Sequence, residues 1–243
     1  MELFFVSLND VTGDLFYLRK DEASHLRDVL KYQEEDEIFA FDGEGSLYRG
    51  MVGKIGKENV RVKILEVSKE EKPLRRVILV QAIPNKKSMD YIVEKATELG
   101  VDKIIPVITS RTISLPPRDK QTKLIGCWRK VALEASRQSK RLFLPEIKGI
   151  KNFKEVISSI PSESSLLIPH LGRENKELKK INWSNLKKNI FVFIGPEDDF
   201  SEEEVSAAEK MGAIPVSLGK NVLKVETAAY YALSVLKYEF TRY

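Results

Sequence analysis

The sequence predicts an α/β protein that joins a small N-terminal β-barrel to a larger C-terminal domain built on a parallel sheet. Three observations support this prediction. Short strand patterns and turn signals fill the first 68 residues, a charged run containing a proline follows at 69–76, and apolar strands then alternate with amphipathic helices. A chain of 243 residues is long enough for one small and one medium domain. We therefore predict domains at 1–68 and 77–243, joined by a linker at 69–76.

The N-terminal part contains strand patterns separated by the turn sequences DG, GEG and GKEN. One helix interrupts them. Asp21 or Ser24 is its candidate cap, and Leu26, Val29 and Leu30 share an apolar face. The predicted strands are LFYL (15–18), EIFAF (37–41), LYRGMVGKI (47–55) and VRVKILEVS (60–68).

The C-terminal part alternates apolar strands with longer helices, which predicts a parallel sheet covered on both faces. The predicted strands lie at 77–84, 103–109, 166–169, 189–195 and 213–219. The predicted helices lie at 88–100, 120–140, 201–212 and 226–240.

The composition excludes several classes of protein. Cys127 is the only cysteine, which excludes an internal disulfide and a zinc site built from several thiolates, so we expect no metal. Because no apolar run reaches the length of a signal peptide or a membrane span, we expect a cytoplasmic protein. The net charge of +4 permits a polyanionic partner without requiring one. Phosphate-loop, HExxH and CxxC motifs do not occur, and the glycines of DGEGSLYRG (42–50) are spaced for a hairpin turn.

Two glycine-containing loops, at 195–200 and 218–223, follow strands of the predicted sheet. Ligands of such sheets bind at the carboxyl ends of the strands, where His170 also follows a strand, so the loops are predicted to line one pocket. Their backbone groups suit adenine and ribose. The alternative is that both loops are tight turns and that His170 is structural. The apolar side chains predicted to enclose the adenine ring are those of Ile194, Leu218, Val222 and Leu223.

Basic residues concentrate on the helix predicted around 128–143. Helical periodicity places Lys130, Arg137 and Arg141 on one face, which we call the basic ridge. Such a face supplies phosphate contacts for a nucleic acid, although it can equally be a solvated surface. Lys86, Lys87 and Arg111 would extend the ridge if the strand ends converge there. The opposite, apolar face is formed by Trp128, Val131, Ala132, Ala135 and Leu142.

Five segments, in order along the chain, carry the most specific signal. They are HLRDVLKYQEEDEIFAFDGEGSLYRG (25–50), KSMDYIVEKATELGVDKIIPVITSRT (87–112), WRKVALEASRQSKR with PEI (128–147), IGPEDDFSEEE (194–204) and SLGKNVLKVETA (217–228). Together they resemble the SPOUT-class 16S ribosomal RNA (uracil-N3)-methyltransferases over nearly the whole chain.

The resemblance implies a PUA-like N-terminal barrel that binds RNA, a SPOUT domain whose chain end forms a trefoil knot, and a homodimer. It also implies methyl transfer from S-adenosylmethionine to N3 of a single uridine, position 1498 of the 16S ribosomal RNA in the small subunit. Glu226 and Thr227 would cap the last helix and hold the second loop. Carried over by position, the cofactor-binding residues are Leu167, Pro169, Ile194, Gly195, Pro196, Glu197, Leu218, Gly219, Val222, Leu223 and Thr227.

The chain departs from the family in both cofactor loops. The family usually has two glycines where Asp198 and Asp199 stand, and arginines where Asn221 and Lys224 stand. Because aspartate adopts a left-handed backbone less readily than glycine, we predict a different path for the first loop. We expect activity to be retained.

For the implied reaction, we assign stabilisation of the uridine anion to Arg111 or Arg137, with Lys224 as a third candidate. Glu197 is the candidate base for the N3 proton, and its alternative role is to hold backbone N–H groups of its loop. Two other functions stay open. One is a methyltransferase of the same fold that acts on another RNA or on a ribose 2′-hydroxyl. The other is a non-catalytic RNA-binding or ribosome-assembly factor whose cofactor loop has decayed.

Overall fold

The computed structural model describes residues 2–84, 86–113, 117–171 and 175–240, apart from the side chains of Lys86 and Lys87. The chain divides into two compact units, Met1–Lys72 with Ser136–Leu144 and Pro73–Ala135 with Pro145–Tyr243. The sequence pattern placed 136–144 in the C-terminal domain. These residues group with the N-terminal unit because Gly45 N–H donates to the Leu142 carbonyl at 3.2 Å and Leu144 N–H donates to the Gly43 carbonyl at 2.9 Å.

The N-terminal unit is a curled, mixed sheet around its own apolar core. Its strand order is β1-β4-β5-β6-β3-β2, with β1 parallel to β4 and the other neighbours antiparallel. Side chains of β5 alternate between buried and half-buried, as expected for a strand with one face on a core. The strands are β1 (Leu3–Phe5), β2 (Val11–Thr12), β3 (Leu15–Arg19), β4 (Glu37–Phe41), β5 (Ser46–Ile55) and β6 (Asn59–Lys69).

The helical segment of this unit differs from the prediction. Helix α1 (Asp21–Ser24) continues directly into a π-helical turn at His25–Val29. The predicted cap is wrong, because Lys20 occupies the N-cap position without a side-chain hydrogen bond. Leu26 is buried but Val29 is exposed, because the i→i+5 hydrogen bond from Leu30 N–H to the His25 carbonyl changes the residue spacing.

The C-terminal unit contains a parallel sheet, which confirms the prediction. The strand order is β10-β8-β7-β13-β11-β14-β12, with β9 beside β8, and the paired strands run parallel. The strands are β7 (Arg76–Ala82), β8 (Lys103–Ile108), β9 (Glu146–Ile147), β10 (Lys151–Asn152), β11 (Ser164–Pro169), β12 (Lys176–Glu177), β13 (Asn189–Ile194) and β14 (Ala213–Ser217).

Helices cover both faces of this sheet. Leu79 and Val192 face a core shared with α2, α3 and α6, whereas their neighbours Ile78 and Phe193 face a core shared with α4 and α5. This two-sided burial follows from the alternation of side chains along each strand. None of the described helices combines the length and apolar character needed to cross a bilayer. The helices are α2 (Lys86–Glu98), α3 (Arg118–Ser139), α4 (Phe153–Ser158), α5 (Glu202–Lys210) and α6 (Val225–Phe240).

Candidate functional site

A pocket lies in the C-terminal unit where three neighbouring strands end. Strands β13, β11 and β14 are adjacent and parallel, so the loops that follow them meet at one edge of the sheet. The first turns of α6 close the pocket with Val225 and Ala228. Its volume of about 220 Å³ far exceeds the roughly 10–15 Å³ that one water molecule needs, so it can hold an organic molecule.

The wall of the pocket combines apolar side chains with polar side chains and loop backbone. Val222 is 77% exposed although it is a large apolar side chain, which leaves an uncovered apolar surface beside the pocket. Such a surface suits a flat ring, while the adjoining loop backbone can hydrogen-bond the polar edge of that ring. The apolar lining side chains are Ile194, Leu218, Val222, Leu223, Val225 and Ala228.

Two glycines shape the pocket in different ways. Gly219 has φ of +121°, a conformation that other residues rarely adopt. Apart from its chain neighbours, no atom of the described residues lies within 4 Å of the position that its Cβ would take. At Gly195, a Cβ would lie 3.2 Å from both the Asp199 Oδ1 atom and the Phe200 nitrogen. The two loops therefore present bare backbone to the pocket at Gly219 and pack tightly upon themselves at Gly195.

Asp199 stabilises the first loop from within. It adopts φ of +65°, a left-handed conformation that costs a non-glycine residue about 1–2 kcal/mol. Its Oδ2 atom lies 2.8 Å from His170 Nδ1 and accepts from Leu171 N–H at 3.0 Å, and its Oδ1 atom accepts from Phe200 N–H at 2.7 Å. These bonds offset the strain and join the loop after β13 to the loop after β11.

A third loop, after β8, also contacts the loop after β13. Arg111 Nη1 donates to the Asp198 carbonyl at 2.7 Å. Ser110 donates through both its N–H and its hydroxyl to the Glu204 carboxylate, which also accepts from Ser201 N–H at the start of α5. Glu204 is buried and therefore fixes the loop before α5 to the end of β8.

Most residues expected to bind the cofactor lie together in this pocket. Leu167 is instead buried in the core beneath β11, and Thr227 is exposed on α6 without lining the pocket. The expected residues that line it are Pro169, Ile194, Gly195, Pro196, Glu197, Leu218, Gly219, Val222 and Leu223. Lining residues that the sequence analysis did not assign to the cofactor are His170, Leu171, Asp199, Ser217, Lys220, Asn221, Val225 and Ala228. Each of these residues lies within two positions of an assigned residue in the sequence, and this proximity could have pointed to them.

The basic ridge expected on α3 does not form as predicted. The helix ends at Ser139 in a Schellman motif, with Lys140 at φ of +57° and Arg141 N–H donating to the Ser136 carbonyl at 2.9 Å. Arg141 therefore lies beyond the helix, and placing it by helical periodicity was wrong. Lys130 is exposed on α3.

Arg137 is also not part of an open cationic face. Its guanidinium forms an ion pair with Glu22 within the N-terminal unit, and both side chains are mostly buried. Burial lowers the pKa of Arg137, and the Glu2 carboxylate opposes that shift. Of the other predicted catalytic residues, Arg111 and Glu197 belong to the unit that holds the pocket. The side chains of Lys86 and Lys87 lie outside what the structure describes.

Comparison with known proteins decides the family. The family described as RNA methyltransferase domain matches residues 70–237, and the RNA methyltransferase PUA domain matches residues 18–65. The chain belongs to this RNA methyltransferase family. The family-level resemblance inferred from the five sequence segments is thus confirmed.

Individual members of the RNA methyltransferase family align along most of this chain. A ribosomal RNA small subunit methyltransferase E from Aquifex aeolicus is 31% identical over 225 residues, covering 92% of this chain and 94% of that protein. The corresponding Synechocystis protein is 29% identical over 225 residues, covering 92% of this chain and 70% of its own length. A Neisseria gonorrhoeae ribosomal RNA small subunit methyltransferase E, solved bound to S-adenosyl methionine, superposes with a TM-score of 0.88 at 28% identity and covers 99% of this chain and 98% of its own.

Proposed function

We propose that this RNA methyltransferase transfers a methyl group from S-adenosylmethionine to N3 of uridine 1498 in 16S ribosomal RNA. The observation that carries the proposal is the pocket after β11, β13 and β14, because nine of the residues implied by the sequence resemblance line it. The names of the Aquifex aeolicus and Synechocystis relatives support ribosomal RNA of the small subunit as the substrate.

The lining residues fit this cofactor. Gly219 leaves bare backbone at a place where a side chain would project into open space, and apolar side chains flank it. Ile194 and Leu223 would enclose the adenine, and the loop backbone would hydrogen-bond its polar edge. Pro169, Gly195, Pro196, Glu197, Leu218, Gly219 and Val222 would complete the contacts. Leu167 and Thr227 do not line the pocket. We assign them a supporting role, Leu167 through its buried side chain on β11 and Thr227 on α6.

S-adenosylmethionine supplies a methyl group activated by a sulfonium leaving group. The protein must orient the uridine and help N3 lose its proton. We assign proton removal to Glu197, whose exposed carboxylate lines the pocket. Arg111 would stabilise the uridine anion, because one of its N–H groups is fixed on the Asp198 carbonyl while its guanidinium carries five donors in all. Arg137 is the second candidate for this role.

Several further assignments come from the sequence pattern or from the family resemblance. The domains would divide at 69–76, with residues 1–68 binding RNA through the PUA-like sheet. The C-terminal domain would carry a trefoil knot and would pair with a second copy in a homodimer. Phosphate contacts would come from Lys86, Lys87, Lys130 and Arg141, whereas Arg137 is held in its ion pair with Glu22. The target uridine must be unpaired, because pairing buries N3 in a hydrogen bond.

The test is to incubate small ribosomal subunits that lack the modification with labelled S-adenosylmethionine and to map the methyl group by mass spectrometry. N3-methyluridine at position 1498 is the expected product. A methyl group on another nucleoside or on a ribose would instead indicate a same-fold enzyme with a different target. RNA binding without methylation, together with no cofactor binding in a millimolar titration, would indicate a non-catalytic assembly factor.

A further inference from the structure

The His170–Asp199 pair is a polar connection across one side of the pocket. Both side chains are mostly buried, at 20% and 16% exposure. The Asp199 carboxylate accepts from two backbone N–H groups in addition to its contact with the imidazole, so its position is fixed from both loops. A side chain held in this way keeps its charge at a fixed place beside the pocket.

The contact with Asp199 fixes which imidazole nitrogen carries the shared proton. An ionised carboxylate can only accept hydrogen bonds, so His170 Nδ1 must carry the proton between them. While the imidazole is neutral, the pair therefore carries one negative charge. Among the described residues that line the pocket, the other charged side chains are Glu197 and Lys220, and both are exposed. Asp199 is thus the least solvated charge in the lining.

We propose that Asp199 is a specificity-determining residue that makes the pocket prefer a sulfonium cation over the corresponding neutral thioether. This inference rests on the proposed function, because S-adenosylmethionine and its product S-adenosylhomocysteine differ in that charge. A fixed anion attracts the charged form without gaining from the neutral one, and partial burial weakens the screening of that attraction. The pocket therefore favours release of the used cofactor and its replacement by a fresh one.

Asp199 does more at this position than a glycine could do. A glycine at position 199 would tolerate the φ of +65°, but it would supply neither the charge nor the bonds to His170 and Leu171. The strained backbone persists because the carboxylate is held at three points. Specificity and loop position therefore depend on one side chain.

The test is calorimetric titration of the full chain with S-adenosylmethionine and S-adenosylhomocysteine, in slightly alkaline buffer where imidazole groups are ordinarily neutral. Asp199→Asn removes the charge and keeps one oxygen for His170 and Leu171, and asparagine tolerates the left-handed backbone. Its amide nitrogen cannot accept from Phe200 N–H, so that one bond is lost. We expect the preference for the sulfonium form to fall about three- to tenfold. The affinity for the thioether should change by less than about threefold, because the hydrogen bonds to the β11 loop remain.

Asp198→Asn is the matched control, because it removes the same charge from the adjacent residue, whose side chain does not line the pocket. The control should leave the preference unchanged. An unchanged preference in Asp199→Asn, or an equal loss in Asp198→Asn, would overturn the inference while leaving the proposed function intact. Should the unsubstituted protein bind neither compound, the proposed function itself fails. A thermal melt of each variant verifies that it is folded, and Asp199→Gly provides a second variant that lacks the charge without backbone strain.

Discussion

The guanidinium of Arg111 donates to the backbone carbonyl of Asp198, which lies 87 positions further along the chain, at 2.7 Å. This bond joins the loop after β8 to the loop after β13 at the edge of the pocket. Because it uses the carbonyl rather than a side chain, substitution of Asp198 need not break it. It therefore places a cationic side chain beside the loop that carries Glu197.

Arg111→Ala is expected to lower the rate of RNA methylation on the order of 10- to 100-fold, since a donor to the uridine anion is lost. Cofactor affinity should change by less than about threefold, because Arg111 does not line the pocket. Single-turnover kinetics with small ribosomal subunits and calorimetry measure the two quantities. Arg118→Ala, at an exposed position that begins α3, is the control and should leave both unchanged. A normal rate in Arg111→Ala would remove this residue from catalysis.

Gly219→Ala should weaken cofactor binding on the order of 10- to 100-fold, because its methyl group would project into the pocket, whereas Gly212→Ala should leave binding unchanged. Both glycines have positive φ, at +121° and +84°, so alanine should destabilise either site by about 1–2 kcal/mol. Of these two glycines, only Gly219 lines the pocket. Urea unfolding and calorimetry together separate the two effects, and equal loss of binding in both variants would count against the assigned pocket.

Arg137→Ala is expected to reduce turnover well beyond its effect on cofactor affinity. Arg137 also pairs with Glu22, so Glu22→Gln is the necessary comparison, because it disrupts the pair while keeping the guanidinium. The two losses are measured as the turnover of each variant on small ribosomal subunits. Equal losses would show that Arg137 acts only by holding the N-terminal unit together, and unchanged turnover would exclude it from the reaction.

Glu204→Ala should lower the free energy of unfolding by about 2–3 kcal/mol. The substitution removes the buried carboxylate that binds Ser110 and completes the capping box of α5 with Ser201. Glu202→Ala, at an exposed position of the same first turn but outside these contacts, should cost only a few tenths of a kcal/mol. Chemical denaturation monitored by circular dichroism measures the difference, and equal costs would mean that the network contributes no stability.

The strands and helices, and the loops that follow the strands, could be predicted from the sequence because they depend on local periodicity. The parallel sheet follows from apolar runs such as 189–195, and the pocket loops follow from the rule that ligands bind at the carboxyl ends of strands. The position of Arg141 could not be predicted, because Lys140 ends α3 in a left-handed turn that usually contains glycine. The prediction that Val29 belongs to an apolar helix face was wrong for a similar reason. One π-helical hydrogen bond changes the spacing of the side chains there.

Long-range polar contacts were the other part that the sequence did not reveal. Asp199 was recognised as unusual for its backbone, but its partner His170 is 29 positions away. Arg137 was expected on an open surface, and only the fold brings Glu22 against it. Side-chain pairing between distant segments has no periodicity, so composition and spacing carry no signal for it.

The order of strands in the C-terminal sheet also determines when the pocket can form during synthesis. Strand β13 lies between β7 and β11, although both precede it in the chain, and β14 covers the other edge of β11. A nascent chain that ends before residue 189 therefore has β7 and β11 without their shared neighbour, and both present unpaired edges. Such non-local pairing slows folding, and the pocket cannot form until the segment that begins at residue 189 has left the ribosome.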